Sequence, residues 1–269
     1  MPIDAFASAL FEGVGVNSLI LLAGIYFASF AVKGAIGLGS LTPSIVFGAA
    51  VLGPHHAVAL ALVANILSQL QYIKLGFTKG DWAVAHKIIV PNFTAAILGI
   101  WIFGRISSVG LSVVLGLSLG VLVLFDIGGI WAKLANRIDI TRPPTVIFLS
   151  ALSGLISGMT GAGGLLVIAV YLRLIKPDKA EFRATILLVS TLVVAWRAAA
   201  MITFGHIDLQ IATEGLILFP IVFLGGVIGS MAFGRISEKR FTRALQLVLL
   251  FGSSVLLWRG LPHFVGVPT

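Results

Sequence analysis

Apolar runs follow one another along almost the whole chain, broken at intervals by glycine, proline and short charged stretches. Read against these breakers they form ten segments, at about 18–32, 40–53, 56–73, 86–103 and 108–125, then 145–158, 163–175, 183–203, 211–233 and 241–258. A hydrocarbon core of ~30 Å takes about 20 apolar residues as helix. By that measure 40–53, 145–158 and 163–175 are too short to cross, 18–32 is marginal, and 56–73 is full length. Short apolar segments separated by glycines predict broken or re-entrant helices, whose free backbone ends must be buried in protein or face a polar cavity.

Composition points the same way. The 269 residues are 58% hydrophobic and 10% charged, where a soluble domain carries about a quarter charged residues, and the mean hydropathy is +1.09. No stretch is left for a soluble domain. Cysteine is absent, which excludes disulfides, thiol nucleophiles and thiolate metal sites. Met1 to Asn17 contain Asp4 and Glu12 but no Lys or Arg, unlike the basic start of a secretory signal, so the first run is expected to be a retained span. The net charge of +8 is spread through short connections without an aromatic and basic surface pattern, so nucleic acid is not an expected partner.

With the N-terminus outside and ten alternating segments, cytoplasmic connections receive Lys33, then Lys74, Lys79 and Lys87, then Lys133, Arg137 and Arg142, then Lys176, Lys179 and Arg183, and finally Arg235, Lys239, Arg240 and Arg243. Arg105 and Arg259 remain outside, as does the C-terminus. This asymmetry is what retention of positive loops produces.

The chain also repeats itself. Gly37-Leu38-Gly39-Ser40 is answered by Gly161-Ala162-Gly163-Gly164, and Phe103-Gly104-Arg105-Ile106-Ser107 recurs as Phe233 to Ser237. Five segments per half is an odd number, so the second copy enters with opposite orientation. The expected fold is an all-α polytopic membrane protein of two inverted repeats, each of about five transmembrane or re-entrant helical segments, broken helices included. The repeats are residues 1–130 and 145–269; residues 131–144 form a cytoplasmic linker whose Pro143-Pro144 stops any helix before the sixth segment.

Candidate chemistry gathers at the repeated glycines. In the first copy Gly37 and Gly39 permit a turn and close backbone approach, Ser40 and Thr42 offer hydroxyls, and Pro43 suits the first turn of a helix; the second copy offers Gly161, Gly163 and Gly164. Helix N-termini at these points would aim unpaired N–H groups at an anion. Glycines in membrane helices also serve tight packing, so their repetition beside short segments carries the functional reading. There is no Gly-Lys-Ser/Thr ending and no preceding strand, which excludes a phosphate-binding loop. On the third segment Asn65, Ser68 and Gln69 share a helix face; the eighth carries Ser190, Thr191 and Arg197. Arg197 has two readings, counter-charge to an anionic substrate or snorkelling to the outer headgroups, and Lys33 has the same two at the inner side.

Other chemistries are thinly represented. Asp126, Asp208 and Glu214 fall at segment edges and Glu12 precedes the first, so a proton coupled to transport is expected to travel on a weakly acidic substrate. His55, His56, His86, His206 and His263 fall mostly in loops, and the His55-His56 pair lacks the acidic or further histidine partners of a metal site. With no Gly-x-Ser-x-Gly or His-Glu-x-x-His motif, the expectation is no enzyme, no metal and no cofactor.

The glycine segments resemble those of the TauE/SafE family of membrane permeases, also called the sulfite exporter or four-toluene-sulfonate uptake family, and the resemblance covers essentially the whole chain. Members show Gly-x-Gly-Gly-Gly followed by a proline near the start of each half; here Ser40 stands at a usual glycine, Pro43 follows, and the second copy has no proline before Pro177. The Pro54 to Ala57 and Pro177 to Ala180 turns and the Arg183-Ala184-Thr185 start of the eighth segment are family-like too. The resemblance implies a prokaryotic inner-membrane carrier of small anions such as sulfite, sulfonates or sulfoacetate, with lipid as its other partner. The expected substrate site lies where the broken segments meet: Gly37, Gly39, Ser40, Thr42, Asn65, Gln69, Gly161, Gly163, Gly164, Ser190, Thr191 and Arg197. The rival reading is a channel-like or partner-dependent membrane component. Oligomeric state is left open, a homo-oligomer included.

Overall fold

The computed structural model describes residues 11, 15–36, 39–130, 133, 142–176, 178–232, 246, 250 and 253–258, the side chains of Ile36, Asp126 and Lys179 excepted. Ten helices are bounded within them: α1 Val16–Ile36, α2 Leu41–Leu52, α3 Pro54–Gln69, α4 Ile73–Lys79, α5 Trp82–Phe103, α6 Ser108–Ile127, α7 Pro143–Thr160, α8 Gly164–Ile175, α9 Lys179–Thr203 and α10 Leu209–Ala232. Six are long and apolar enough to cross a membrane, seven if the bent pair α3–α4 counts as one span. Most of segment 241–258, most of the linker and the second Phe-Gly-Arg-Ile-Ser lie outside the described residues.

Helix ends correct several expectations. Segments four and eight start earlier than their apolar runs because Asp81 accepts from Val84 N and Asp178 from the Ala180 and Glu181 amides; the first turn of α9 also carries Lys179 and Glu181. The proline pair opens α7, at the position where a missing N–H costs nothing, and α7 reaches 18 residues, so segment six is not short. Segment three, read as full length, is the one that breaks. The amides of Leu70, Gln71 and Tyr72 each bond the carbonyl three residues back, which tightens the helix end, and α4 leaves at 65°. α2 and α8 are short as expected, at 12 residues each, about 18 Å of helix.

Apolar side chains cover the outer surface as well as the core. Ile20, Leu98, Leu117, Phe148, Leu209 and Met231 are all exposed, the distribution expected of helices that face lipid. Between helices, association rests on close backbone approach rather than on hydrophobic contrast. α5 lies along α7 and α10 lies along α1. A Cβ at Gly99 on α5 would stand 2.5 Å from the Leu155 carbonyl oxygen and 2.8 Å from the Gly158 Cα, and one at Gly229 on α10 would stand 1.9 Å from the Ala31 oxygen.

Contacts at the helix ends fall into two groups, separated by the length of α5. At its start Lys176 Nζ lies 2.9 Å from Asp81 Oδ2 and 3.4 Å from Glu181, and Arg183 Nη2 donates to the Gly34 oxygen at 3.1 Å. The bond from Lys176 holds the Asp81 carboxyl below its ordinary range, helped by the Val84 amide. At the other end of α5, Phe103 meets the rings of His55 at 4.9 Å and His206 at 5.2 Å.

Gly99→Val should lower the melting temperature in detergent, the overpacking costing about 1–3 kcal/mol. Gly24→Ala, where a Cβ meets nothing within 4 Å, should be neutral or stabilising by up to about 1 kcal/mol. Equal effects of the two would refute the packing account.

Candidate functional site

Two backbone breaks meet at one internal cavity. The loop from α1 to α2 contributes Gly39 and Ser40, and the start of α2 Leu41 and Thr42; α7 contributes Ser157, the turn after it Gly161 to Gly163, and the start of α8 Gly164, Leu165 and Leu166. Gly39, Gly161 and Gly163 sit at φ of 99°, 77° and 83°, a region that side-chain-bearing residues avoid, and Gly161 ends α7 in the left-handed cap conformation. These turns end one helix and start the next within a few residues, so the N-terminal residues of both α2 and α8 line the cavity. Neither terminus has a side-chain cap, leaving amide donors and the positive ends of two helix dipoles at the cavity wall.

Two cations join them. Arg197, on α9, is 1% exposed and donates from Nη1 to the Gly161 oxygen at 3.0 Å; its Nε has no hydrogen-bond partner. Snorkelling is thereby corrected: the guanidinium points into the bundle, and Gly161, where any Cβ would come within 2.8 Å of Nη2, makes room for it. Lys33, on α1, is 3% exposed and donates to Asn65 Oδ1 and, at 2.5 Å, to Ser68 Oγ. The rings of Phe30 and Tyr72 flank its ammonium at 5.7 and 5.6 Å. Among the described residues no carboxylate lines the cavity and neither cation forms a salt bridge.

The neutral polar residues complete the wall. Gln69 donates to Ser190 Oγ at 3.1 Å, tying α3 to α9, and its own Oε1 is buried without a partner. Ser40 Oγ lies 3.5 Å from Asn65 Oδ1. The structure thus brings together Gly39, Ser40, Thr42, Asn65, Gln69, Gly161, Gly163, Gly164, Ser190 and Arg197. Gly37 lies outside the described residues. Thr191 is not brought in: its hydroxyl donates to the Leu187 oxygen at 2.7 Å and it does not line the cavity. Lys33 and Ser157 line the cavity but were not in the expected set. Lys33 resembled a cytoplasmic-loop residue because its apolar run stops one residue earlier, whereas α1 continues to Ile36.

A second polar cluster was missed. Glu214, read as an edge residue, lies inside α10, is 1% exposed, and pairs with His56 of α3. His56 therefore does have an acidic partner. No group of three or more histidine or carboxylate side chains suited to a metal occurs among the described residues.

A helical bundle that is apolar toward lipid, with polar side chains converging on an internal cavity, has the construction of a membrane transporter. The chain belongs to the family described as Sulfite exporter TauE/SafE, which it matches over residues 20–256. It is a multi-pass membrane transporter and not an enzyme. It is also similar to the "Probable inner membrane transporter protein TsaS" of Comamonas testosteroni, with 25% identity over 207 residues, 74% of this chain and 83% of that one. No solved structure matches.

A buried cation without an acid is a cost to the empty protein. Arg197→Met should leave the melting temperature of anion-free protein unchanged or raised, by up to about 4 kcal/mol in stability. A marked fall would make Arg197 a structural strut.

Proposed function

We propose that the protein is a secondary transporter of small anions, with sulfite, sulfonates and related organic acids as the substrate class, working by alternating access in the inner membrane of a prokaryote. The observation that carries this is the convergence of Arg197, Lys33 and two helix N-termini on one cavity that no carboxylate lines among the described residues. Charges at mid-membrane cost about 2.5–3.5 kcal/mol each on insertion scales, and a bound anion offsets that cost. Arg197 and Lys33 supply counter-charge, the α2 and α8 amides take anionic oxygens, and Ser40, Thr42, Asn65, Gln69 and Ser190 orient them. The family's description and the relative's name support the class of substrate and the membrane.

Alternating access follows from reading the chain as an inverted repeat of residues 1–130 and 145–269, joined by a linker over 131–144. α5 and α10 are the fourth segments of their halves and α7 and α1 the first segments of the opposite halves, so the pairs α5–α7 and α10–α1 are related by exchanging the halves. Each half brings its short helix to the cavity from its own side, and exchanging the two arrangements would open the site to the other face.

The test is counterflow in liposomes of the purified protein, using radiolabelled sulfite with sulfonates, sulfoacetate and chloride as competitors. Saturable uptake driven by unlabelled internal sulfite, inhibited by sulfonates more than by chloride, is expected. Unsaturable flux without counterflow would instead indicate a pore.

A further inference from the structure

Glu214 and His56 play no part in the anion cavity, yet they are the most deeply placed acid–base pair among the described residues. Glu214 Oε2 meets His56 Nε2, and Glu214 Oε1 accepts from Gln210 Nε2 at 3.2 Å. The carboxylate is almost wholly buried, whereas the His56 side chain is 29% exposed, so the imidazole connects it to the surface of the bundle. The pair also joins two elements with different tasks. His56 stands in the first turn of α3, which carries Asn65 and Gln69 to the cavity; Glu214 stands on α10, which packs against α3 and α1.

From these contacts we propose that His56–Glu214 is the proton-binding site that couples anion transport to a proton gradient. This rests on the carrier reading above. A proton taken up or lost by the pair changes its net charge and with it the strength of the contact between α3 and α10. Because α3 holds both the pair and part of the anion site, the state of one biases the other. The surrounding groups are consistent with a site of this kind. From α1 the Tyr26 hydroxyl, buried and without a hydrogen-bond partner, lies within electrostatic reach of Glu214. From α3, His55 sits beside His56, its Nε2 3.3 Å from the Phe103 oxygen and its Nδ1 3.3 Å from Ser108 Oγ. Asp208 caps α10 through the Ile211 amide at 2.8 Å. His206, outside the spans, is held below its ordinary range first by desolvation and then by His55. The charge pattern assigns this end of the bundle to the outer face.

The experiment uses the full chain in proteoliposomes with the membrane potential clamped, and compares wild type, Glu214→Gln and His56→Gln. Two probes are followed: radiolabelled sulfite, a weak acid, and 4-toluenesulfonate, which stays ionised. In the wild type an acid-outside gradient should drive accumulation of the transported probe, about tenfold per pH unit for one coupled proton. Glu214→Gln should keep counterflow within about twofold while losing that accumulation. His56→Gln, which leaves the carboxylate in place, should move the pH midpoint of uptake and so serves if Glu214→Gln fails to assemble. Gradient-driven accumulation at the wild-type level in Glu214→Gln would overturn the assignment and place the proton on sulfite. So would wild-type counterflow indifferent to the gradient. Absence of wild-type counterflow with every competitor would instead overturn the carrier reading, and this assignment with it.

Discussion

A lysine and an arginine held inside a membrane bundle, with no carboxylate beside them among the described residues, constrain everything else in this structure. In a low-dielectric interior an ionised group must be paired, hydrogen-bonded or moved to water. Arg197 spends one nitrogen on the Gly161 carbonyl and leaves Nε unpartnered. Lys33 is held by a neutral amide and a hydroxyl. Hydrogen bonds to neutral groups position a cation; they do not cancel its charge. Among the described residues no acid balances these two, and on the proposed reading an anion bound in the cavity they share does so.

The broken helices explain how such a cavity is built in an apolar bundle. A continuous helix satisfies its own backbone and presents no donors inside the bundle, whereas the first residues of α2 and α8 line the cavity. Beginning a helix inside a membrane leaves several N–H groups without partners. Glycines at positive φ make the reversals compact enough for these ends to lie side by side, and the tight glycine contacts along α5–α7 and α10–α1 hold the flanking spans close around them. The positive ends of two helices then reinforce the two side-chain cations rather than oppose them. Asn65, Gln69 and Ser190, on α3 and α9, add polar side chains to the same wall.

Much of this was legible in the sequence because it is written in composition and spacing. Apolar runs mark the helices, and the repeated glycines mark the reversals at Gly39 and Gly161 to Gly164. The face shared by Asn65, Ser68 and Gln69 follows from helical periodicity. The misreadings have physical reasons. The break after Gln69 contains neither glycine nor proline; three short-range backbone bonds make it, and no residue type announces them. Helix starts were obscured because the caps, Asp81 and Asp178, are charged residues that lie ahead of the apolar runs. Arg197 and Lys33 could not be placed from position along a run, since depth in the bundle depends on which way the helix face turns. Glu214 looked like an edge residue for the same reason, its partner His56 lying far away in sequence.

The central claim is that the Lys33–Arg197 cavity is an anion site, and the most direct measurement is a structure determined with selenite, whose anomalous scattering marks its position independently of protein density. The account predicts a selenium peak in that cavity, within hydrogen-bonding reach of the Arg197 guanidinium and the amides that open α2 or α8. Selenium only at the bundle surface, with the cavity filled by protein or by water alone, would contradict it.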